Sequence, residues 1–121
     1  MYITHGCLPH MTEGAKIIFI NSVAGLRDIQ HQAIYCASKA GLRSFAGVLG
    51  QELRNRKIKV SSIHPGGINT TLWNKDNPYP CGQVSDALDP TTIAKLVYMI
   101  ASDETNAEYK NMTLFPDVEW H

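Results

Sequence analysis

The stretch Gln32–Arg56, QAIYCASKAGLRSFAGVLGQELRNR, decides how the chain is read, because it carries one helical period and almost no polar face. Tyr35, Lys39, Leu42, Ala46, Leu49 and Leu53 recur at steps of three and four residues, so they share one side of a helix. Ala40, Ser44, Gly47 and Val48 lie roughly opposite, and all four are small or apolar. Between Lys39 and Glu52 the one charged residue is Arg43. A helix that is non-polar nearly all round is expected to be covered on both sides. The chain's own sheet can cover one, and a second subunit the other.

The same stripe carries candidate chemistry. Tyr35 and Lys39 are four residues apart, so their Cβ atoms are about 5–6 Å from each other on a helix. A cation held beside a phenol favours the phenolate, which makes the two a possible acid/base pair. A lone Tyr-x-x-x-Lys is more often a buried tyrosine with a lysine reaching to solvent. The flanking sequence has to decide between the two.

Working outward, Lys16–Asn21 (KIIFIN) is a β-branched run between Gly14 and Ser22 and reads as a buried strand. Ser22–Gly25 and the polar Arg27–Gln32 form a loop into the helix. Ile58–His64 (IKVSSIH) is a second strand, stopped by Pro65-Gly66-Gly67. From Thr70 to Asp89 no period holds, and a loop of that length in a compact domain is usually functional or mobile. Asp89-Pro90 opens another helix, with the acid as cap and proline in the first turn. Ile93, Leu96, Val97 and Ile100 form its stripe, and Asn111–Phe115 reads as a third strand. Residues 2–12 read as the end of a helix. Strand, helix, strand, helix, strand is the order of a parallel α/β sheet. Three strands leave Lys16–Asn21 with a bare apolar edge, so either a partner covers it or further strands belong beside it.

Composition narrows the function. The 121 residues allow one modest domain or a piece of a larger one. Eleven basic residues balance eleven acidic ones, which argues against a nucleic-acid binder. No run is long enough to span a membrane, and Met1–Met11 lacks the basic start and apolar core of a signal peptide. Cys7, Cys36 and Cys81 are odd in number and far apart, as free thiols of a reducing, cytoplasmic setting would be. Five scattered histidines show no metal-ligand spacing. Asn69-Thr70-Thr71 and Asn111-Met112-Thr113 match a glycosylation pattern that is incidental without a secretory signal.

Three segments in order, IIFINSVAG (Ile17–Gly25), YCASKAGL (Tyr35–Leu42) and IHPGGINT (Ile63–Thr70), closely resemble the C-terminal half of the short-chain dehydrogenase/reductase family. The resemblance covers about Pro9 to Pro116, and the step of 13 from Ser22 to Tyr35 matches the family's spacing. It implies a partial Rossmann-like, doubly wound parallel sheet over residues 1–121, and an oxidoreductase interconverting an alcohol and a carbonyl with NAD or NADP. Tyr35 would be the general acid/base. Lys39 would favour its phenolate and hydrogen-bond the nicotinamide ribose, and Ser22 would hold the substrate oxygen. Pro65 and Gly66 would run beside the nicotinamide, with Ile68 and Thr70 at its carboxamide. The partners implied are a small alcohol or carbonyl compound and a second copy docked through the 32–56 helix. Leu72, Trp73, Tyr79 and Cys81 would line the substrate pocket if residues 70–89 form a lid. A hydrolase using Ser22 is set aside, because no nucleophile elbow surrounds it.

No Gly-x-x-x-Gly-x-Gly or Gly-x-Gly-x-x-Gly occurs in the chain, and the family's upstream catalytic asparagine has no counterpart before Ser22. The sequence therefore reads as the reaction centre without the dinucleotide-binding half. A different reading is a truncated, catalytically silent relative that serves as an oligomerisation or binding partner. Most polar recognition of a dinucleotide comes from phosphates on a Gly-rich helix N-terminus. The contacts left are too few to offset the roughly 4–15 kcal/mol cost of association. The 121-residue chain alone is expected to show no heat of binding with NADH or NADPH in calorimetry. Micromolar affinity would contradict this.

Overall fold

The computed structural model of the chain describes residues 1–73 and 87–117. Three parallel strands lie in the order β1 (Lys16–Ile20), β2 (Lys59–Pro65), β3 (Asn111–Leu114). Lys16 pairs with Lys59 and Ile20 with Ile63, while Ser62 pairs with Asn111 and Pro65 with Leu114. Among the described residues β1 has a neighbour on one side alone, as the sequence led us to expect. A short helix, α1 (Tyr2–Cys7), and a 3-10 turn at Leu8–His10 precede β1. No residue of α1 is buried, but Leu8 and Met11 reach the core, and Arg56 Nη2 donates to both of their carbonyls at 2.8 Å.

The long helix α2 spans Ala33–Glu52 and then tightens into a 3-10 turn at Arg54–Arg56. The helical run as a whole ends at the expected Arg56, after which Lys57 is left-handed, with φ 54°. A non-glycine residue adopts that conformation at some cost. Here the turn is tied down, as Lys57 O accepts from Gly14 N at 3.1 Å and its ammonium pairs with Glu13 at 2.6 Å. The α2 stripe behaves as its period requires. Ala46, Leu49 and Leu53 are buried against Ile17, Ile58 and Val60, and Phe45 meets Phe19 edge to face at 5.9 Å. Each buried leucine, isoleucine or valine among these contributes about 1.5–3 kcal/mol by leaving water. The other side of α2 is open in the single chain: Ile34 is 82% and Val48 50% exposed, and Ser44 and Gly47 are exposed as well.

Helix α3 (Pro90–Ser102) lies against the opposite face of the sheet. Asp89 caps it, accepting from Thr91 N at 2.7 Å, and Ile93 and Ile100 are its buried residues. Its C-terminal end is held from the sheet. Lys16 Nζ donates to the carbonyls of Ile100 (2.9 Å), Ala101 (3.0 Å) and Asp103, a favourable place for a cation. Lys59, the strand partner of Lys16, donates to the carbonyls of Thr105 (2.7 Å) and Ala107 (2.8 Å). Asp103 in turn accepts from Thr105 N and from the Tyr109 hydroxyl.

Hydrogen bonds from Thr105, then from Tyr109, with Lys16 nearby, hold the Asp103 carboxyl down at about 2, from an ordinary 3.8. A carboxylate depressed in the folded state adds stability that is fully present above its unfolded value. That stability is lost as pH falls through the folded value. In urea unfolding, Asp103→Asn should lower the midpoint above pH 3.8 and flatten its decline between there and about 2. An unchanged slope would mean that the carboxylate adds nothing to the fold.

Candidate functional site

The elements that matter meet at the carboxyl end of β1 and β2, where α/β sheets bind ligands. Asn21 continues the pairing of β1, its N–H donating to Ile63 O at 2.8 Å, and is 5% exposed. Ser22 is extended and caps a 3-10 turn, Val23–Gly25, whose residues are all buried. Its Oγ accepts from Ala24 N at 3.2 Å, so the hydroxyl hydrogen is left for another acceptor.

This turn sits against α2 at Lys39. A Cβ on Gly25 would stand 2.7 Å from Lys39 O and 2.9 Å from its carbonyl carbon, so only glycine permits the approach. Asn21 Nδ2 donates to the same carbonyl at 3.2 Å, and Arg43 Nε donates to Gly25 O at 3.1 Å. Residues on both sides of Ser22 are thus fastened to the backbone of Lys39. Tyr35 and Lys39 are both half-buried one turn apart, with Lys39 Nζ 5.6 Å from the centre of the tyrosine ring, within cation–π range. Burial lowers the Lys39 pKa, and among the described residues no carboxylate pairs with it.

The Pro65–Thr70 segment is pinned on two sides. Gly66 N donates to Leu114 O at 2.7 Å, Leu88 N to Gly67 O at 2.8 Å, and Asn69 N to Leu88 O at 2.9 Å. Pro65 is buried, Gly66 and Ile68 are half-buried and Thr70 is exposed. Ile68 and Thr70 line an apolar groove of about 570 Å³ together with Ile20, Ile93, Val97 and Tyr98. A second cavity of about 670 Å³ lies between residues 24–31 and the start of α2, lined by Gly25, Asp28, His31, Cys36 and Ala40 among others. Ser22, Tyr35 and Lys39 line neither of them. Of the expected pocket residues, Leu72 is exposed, Trp73 ends a 3-10 turn, and Tyr79 and Cys81 lie outside the described residues.

The structure therefore ties the Ser22 turn to the backbone of Lys39, one helical turn from Tyr35, through Asn21 and Gly25. It lines an apolar groove with Ile68 and Thr70, while Pro65 and Gly66 are not among that groove's lining residues. Sequence reasoning missed Asn21, His64 and Leu88. Asn21 and His64 are polar residues at buried positions of apolar strands, which is a signal of its own. Leu88 carried none. Among the described residues no group of acidic, histidine or cysteine side chains could hold a metal.

Comparison with known proteins shows the family and the fold. The short chain dehydrogenase family model matches residues 1–79, and the chain belongs to that family, the short-chain dehydrogenases/reductases. It is 35% identical over 93 residues to 3-oxoacyl-(acyl-carrier-protein) reductase of Bos taurus, covering 72% of this chain and 38% of the relative. With human 15-hydroxyprostaglandin dehydrogenase (NAD+) it shares 30% over 118 residues, covering 84% of this chain and 44% of the relative. The closed form of serine dehydrogenase complexed with NADP+ superposes with a TM-score of 0.84 at 22% identity, covering 99% of this chain and 52% of that one. A short-chain dehydrogenase/reductase from Vibrio parahaemolyticus gives 0.74 at 17%, covering 98% and 52%. These solved structures show the shared Rossmann-like fold. The chain spans less than half the length of the curated relatives named and about half of the solved chains.

Gly25→Ala should force the 23–25 turn off α2, because the neighbouring atoms are backbone and cannot yield. Overpacking of this kind costs about 1–3 kcal/mol. Chemical denaturation should show that loss, and the Lys39 amide environment should change with it. A variant as stable as the parent would show that the contact is slack.

Proposed function

We propose that the chain carries the reaction centre of a cytoplasmic NAD- or NADP-dependent oxidoreductase that interconverts an alcohol and a carbonyl. The observation that supports this best is the fastening of the Ser22 turn to Lys39 from both sides, by Asn21 and by Gly25. It supports the reading because it fixes the backbone of Ser22 against that of Lys39, one helical turn from Tyr35. In the reducing direction Tyr35 gives its phenolic proton to the substrate oxygen, and in the oxidising direction it takes that proton back. Ser22 Oγ–H donates to the same oxygen. Two fixed donors stabilise negative charge as it develops there. Lys39, whose ammonium meets no carboxylate among the described residues, puts a positive charge beside the tyrosine ring.

The groove at Ile68 and Thr70 suits a flat, weakly polar ring, since the side chains of its walls are apolar apart from the Thr70 and Tyr98 hydroxyls. Pro65, Gly66, Ile68 and Thr70 would hold the nicotinamide end there, and Tyr35 and Lys39 the ribose beside it. Bound nicotinamide supplies or accepts the hydride. The names of the relatives, a 3-oxoacyl reductase and a hydroxyprostaglandin dehydrogenase, agree with carbonyl and alcohol substrates. No described helix is long and apolar enough to cross a membrane, and Cys7 and Cys36 are free thiols.

The test is carbonyl reduction with NADH and NADPH, by the chain alone and after addition of a family-type N-terminal half. Tyr35→Phe should reduce turnover by more than tenfold, a barrier increase above about 1.4 kcal/mol, with cofactor affinity little changed. Turnover retained within tenfold would remove Tyr35 as the acid/base. Turnover absent in every combination would favour the silent relative.

We also propose self-association through α2. Its open side, with Ile34 at 82% and Val48 at 50% exposure, includes Ser44 and Gly47, whose small side chains let backbones approach. Val48→Glu should shift sedimentation toward monomer by placing an unpaired charge in the contact. A monomeric parent chain would defeat the idea.

A further inference from the structure

Side chains alternate along the strands, so Ile17 and Val60 share the α2 side of the sheet with Ser62, His64 and Asn111. That side is apolar at the amino end of the strands and polar at the carboxyl end. His64 is fully buried there. Its Nδ1 lies 3.2 Å from the backbone oxygen of Ser22, and its Nε2 lies 3.1 Å from Asn111 Oδ1. Both ring nitrogens thus face oxygen.

A neutral imidazole has one N–H and one lone pair, so it cannot donate to both. A charged ring could, but it would be buried in full with no carboxylate paired to it among the described residues. The two oxygens are not equivalent. The Ser22 carbonyl can only accept. The Asn111 carboxamide belongs to an exposed residue and can turn its NH2 toward Nε2.

We propose that His64 is a positioning residue, held between Ser22 and Asn111 as the neutral Nδ1–H tautomer. Nδ1–H donates to Ser22 O, and Nε2 accepts from the Asn111 carboxamide. The consequence for Ser22 is direct. Its carbonyl also accepts from Gly25 N at 3.0 Å, so the ring supplies a second donor and both lone pairs are engaged. The peptide plane after Ser22 is then fixed from two directions, and with it the backbone of the residue that carries the hydroxyl, while the bond from Ala24 N to Oγ holds the hydroxyl itself. The ring also ties the Ser22 turn to β3, an element far along the chain. Any catalytic consequence rests on the role of Ser22 proposed above, while the tie itself does not.

The test is long-range 1H–15N correlation of the histidine rings in the uniformly labelled 121-residue chain. His64 should show a protonated Nδ1 and a bare Nε2. A ring protonated at Nε2 alone, or at both nitrogens, would overturn the proposal whether or not the protein turns over. Two variants separate tie from bulk. His64→Asn keeps a donor near the Nδ1 position and should preserve the Ser22–Gly25 amide resonances. His64→Gln moves its donor outward and should shift them, and in an active protein should lower kcat by about tenfold or more with KM unchanged. Equal effects of both variants on those amides would make His64 a packing residue and defeat the proposal. The Nδ1–H signature with no turnover in the parent would leave the tie standing and count against the catalytic reading alone.

Discussion

The rest of the site depends on the contact between a three-residue turn and one peptide group of α2. The turn Val23–Gly25 can lie on the Lys39 carbonyl because Gly25 has no Cβ, and Asn21 and Arg43 lock it there with hydrogen bonds running in both directions. Backbone-to-backbone contact of this kind is stiffer than side-chain packing, since neither partner has a torsion left with which to yield. Ser22 is covalently inside the locked turn, and Tyr35 and Lys39 are covalently on the locked helix. Their relative placement is therefore a property of the main chain.

That lock would be of little use if α2 could slide along the sheet. Ala46, Leu49 and Leu53 prevent this further down the helix, where they meet Ile17, Ile58 and Val60 in the main apolar cluster. The sheet is divided along its length. Its amino end holds the apolar cluster on one side and, on the other, two lysines, one gripping the end of α3 and one the loop after it. Its carboxyl end is polar, with Asn21, Ser22, Ser62 and His64 buried. Stability is concentrated at one end and hydrogen-bonding capacity at the other. Two polar atoms at the polar end, Asn21 Oδ1 and Ser62 Oγ, have no partner among the described residues. Buried polar groups without partners are costly, and natural chains tend to carry such costs beside functional sites.

Much of this was legible in the residues. The period of Gln32–Arg56 identified the helix and the face that meets the sheet, because burial of one stripe follows from 3.6 residues per turn whatever the surroundings. The β-branched runs and the Pro-Gly stop placed β1 and β2, and Asp89-Pro90 placed the start of α3 to the residue, since capping is a local interaction. Tyr35 and Lys39 followed from helical spacing, and Ser22 from its distance to Tyr35 within a resemblance to a known family. Where local rules were outvoted, the reading was coarser. The α-helix ends at Glu52 and the run to Arg56 tightens to 3-10, closed by Lys57, which is left-handed and held by Gly14 and Glu13 more than 40 positions away.

The sequence by itself determined the order of elements, the buried faces, the family and the identity of the candidate reactive groups, because each of these is encoded within a few turns of chain or in short motifs. Only the tertiary structure decided that Asn21 and Gly25 hold Lys39, that Leu88 pins the Pro65–Thr70 segment, and that His64 bridges Ser22 to Asn111. These contacts join residues between 14 and 47 positions apart. No local propensity specifies them. They exist because a parallel sheet sets the ends of distant strands side by side and makes a helix cross above them.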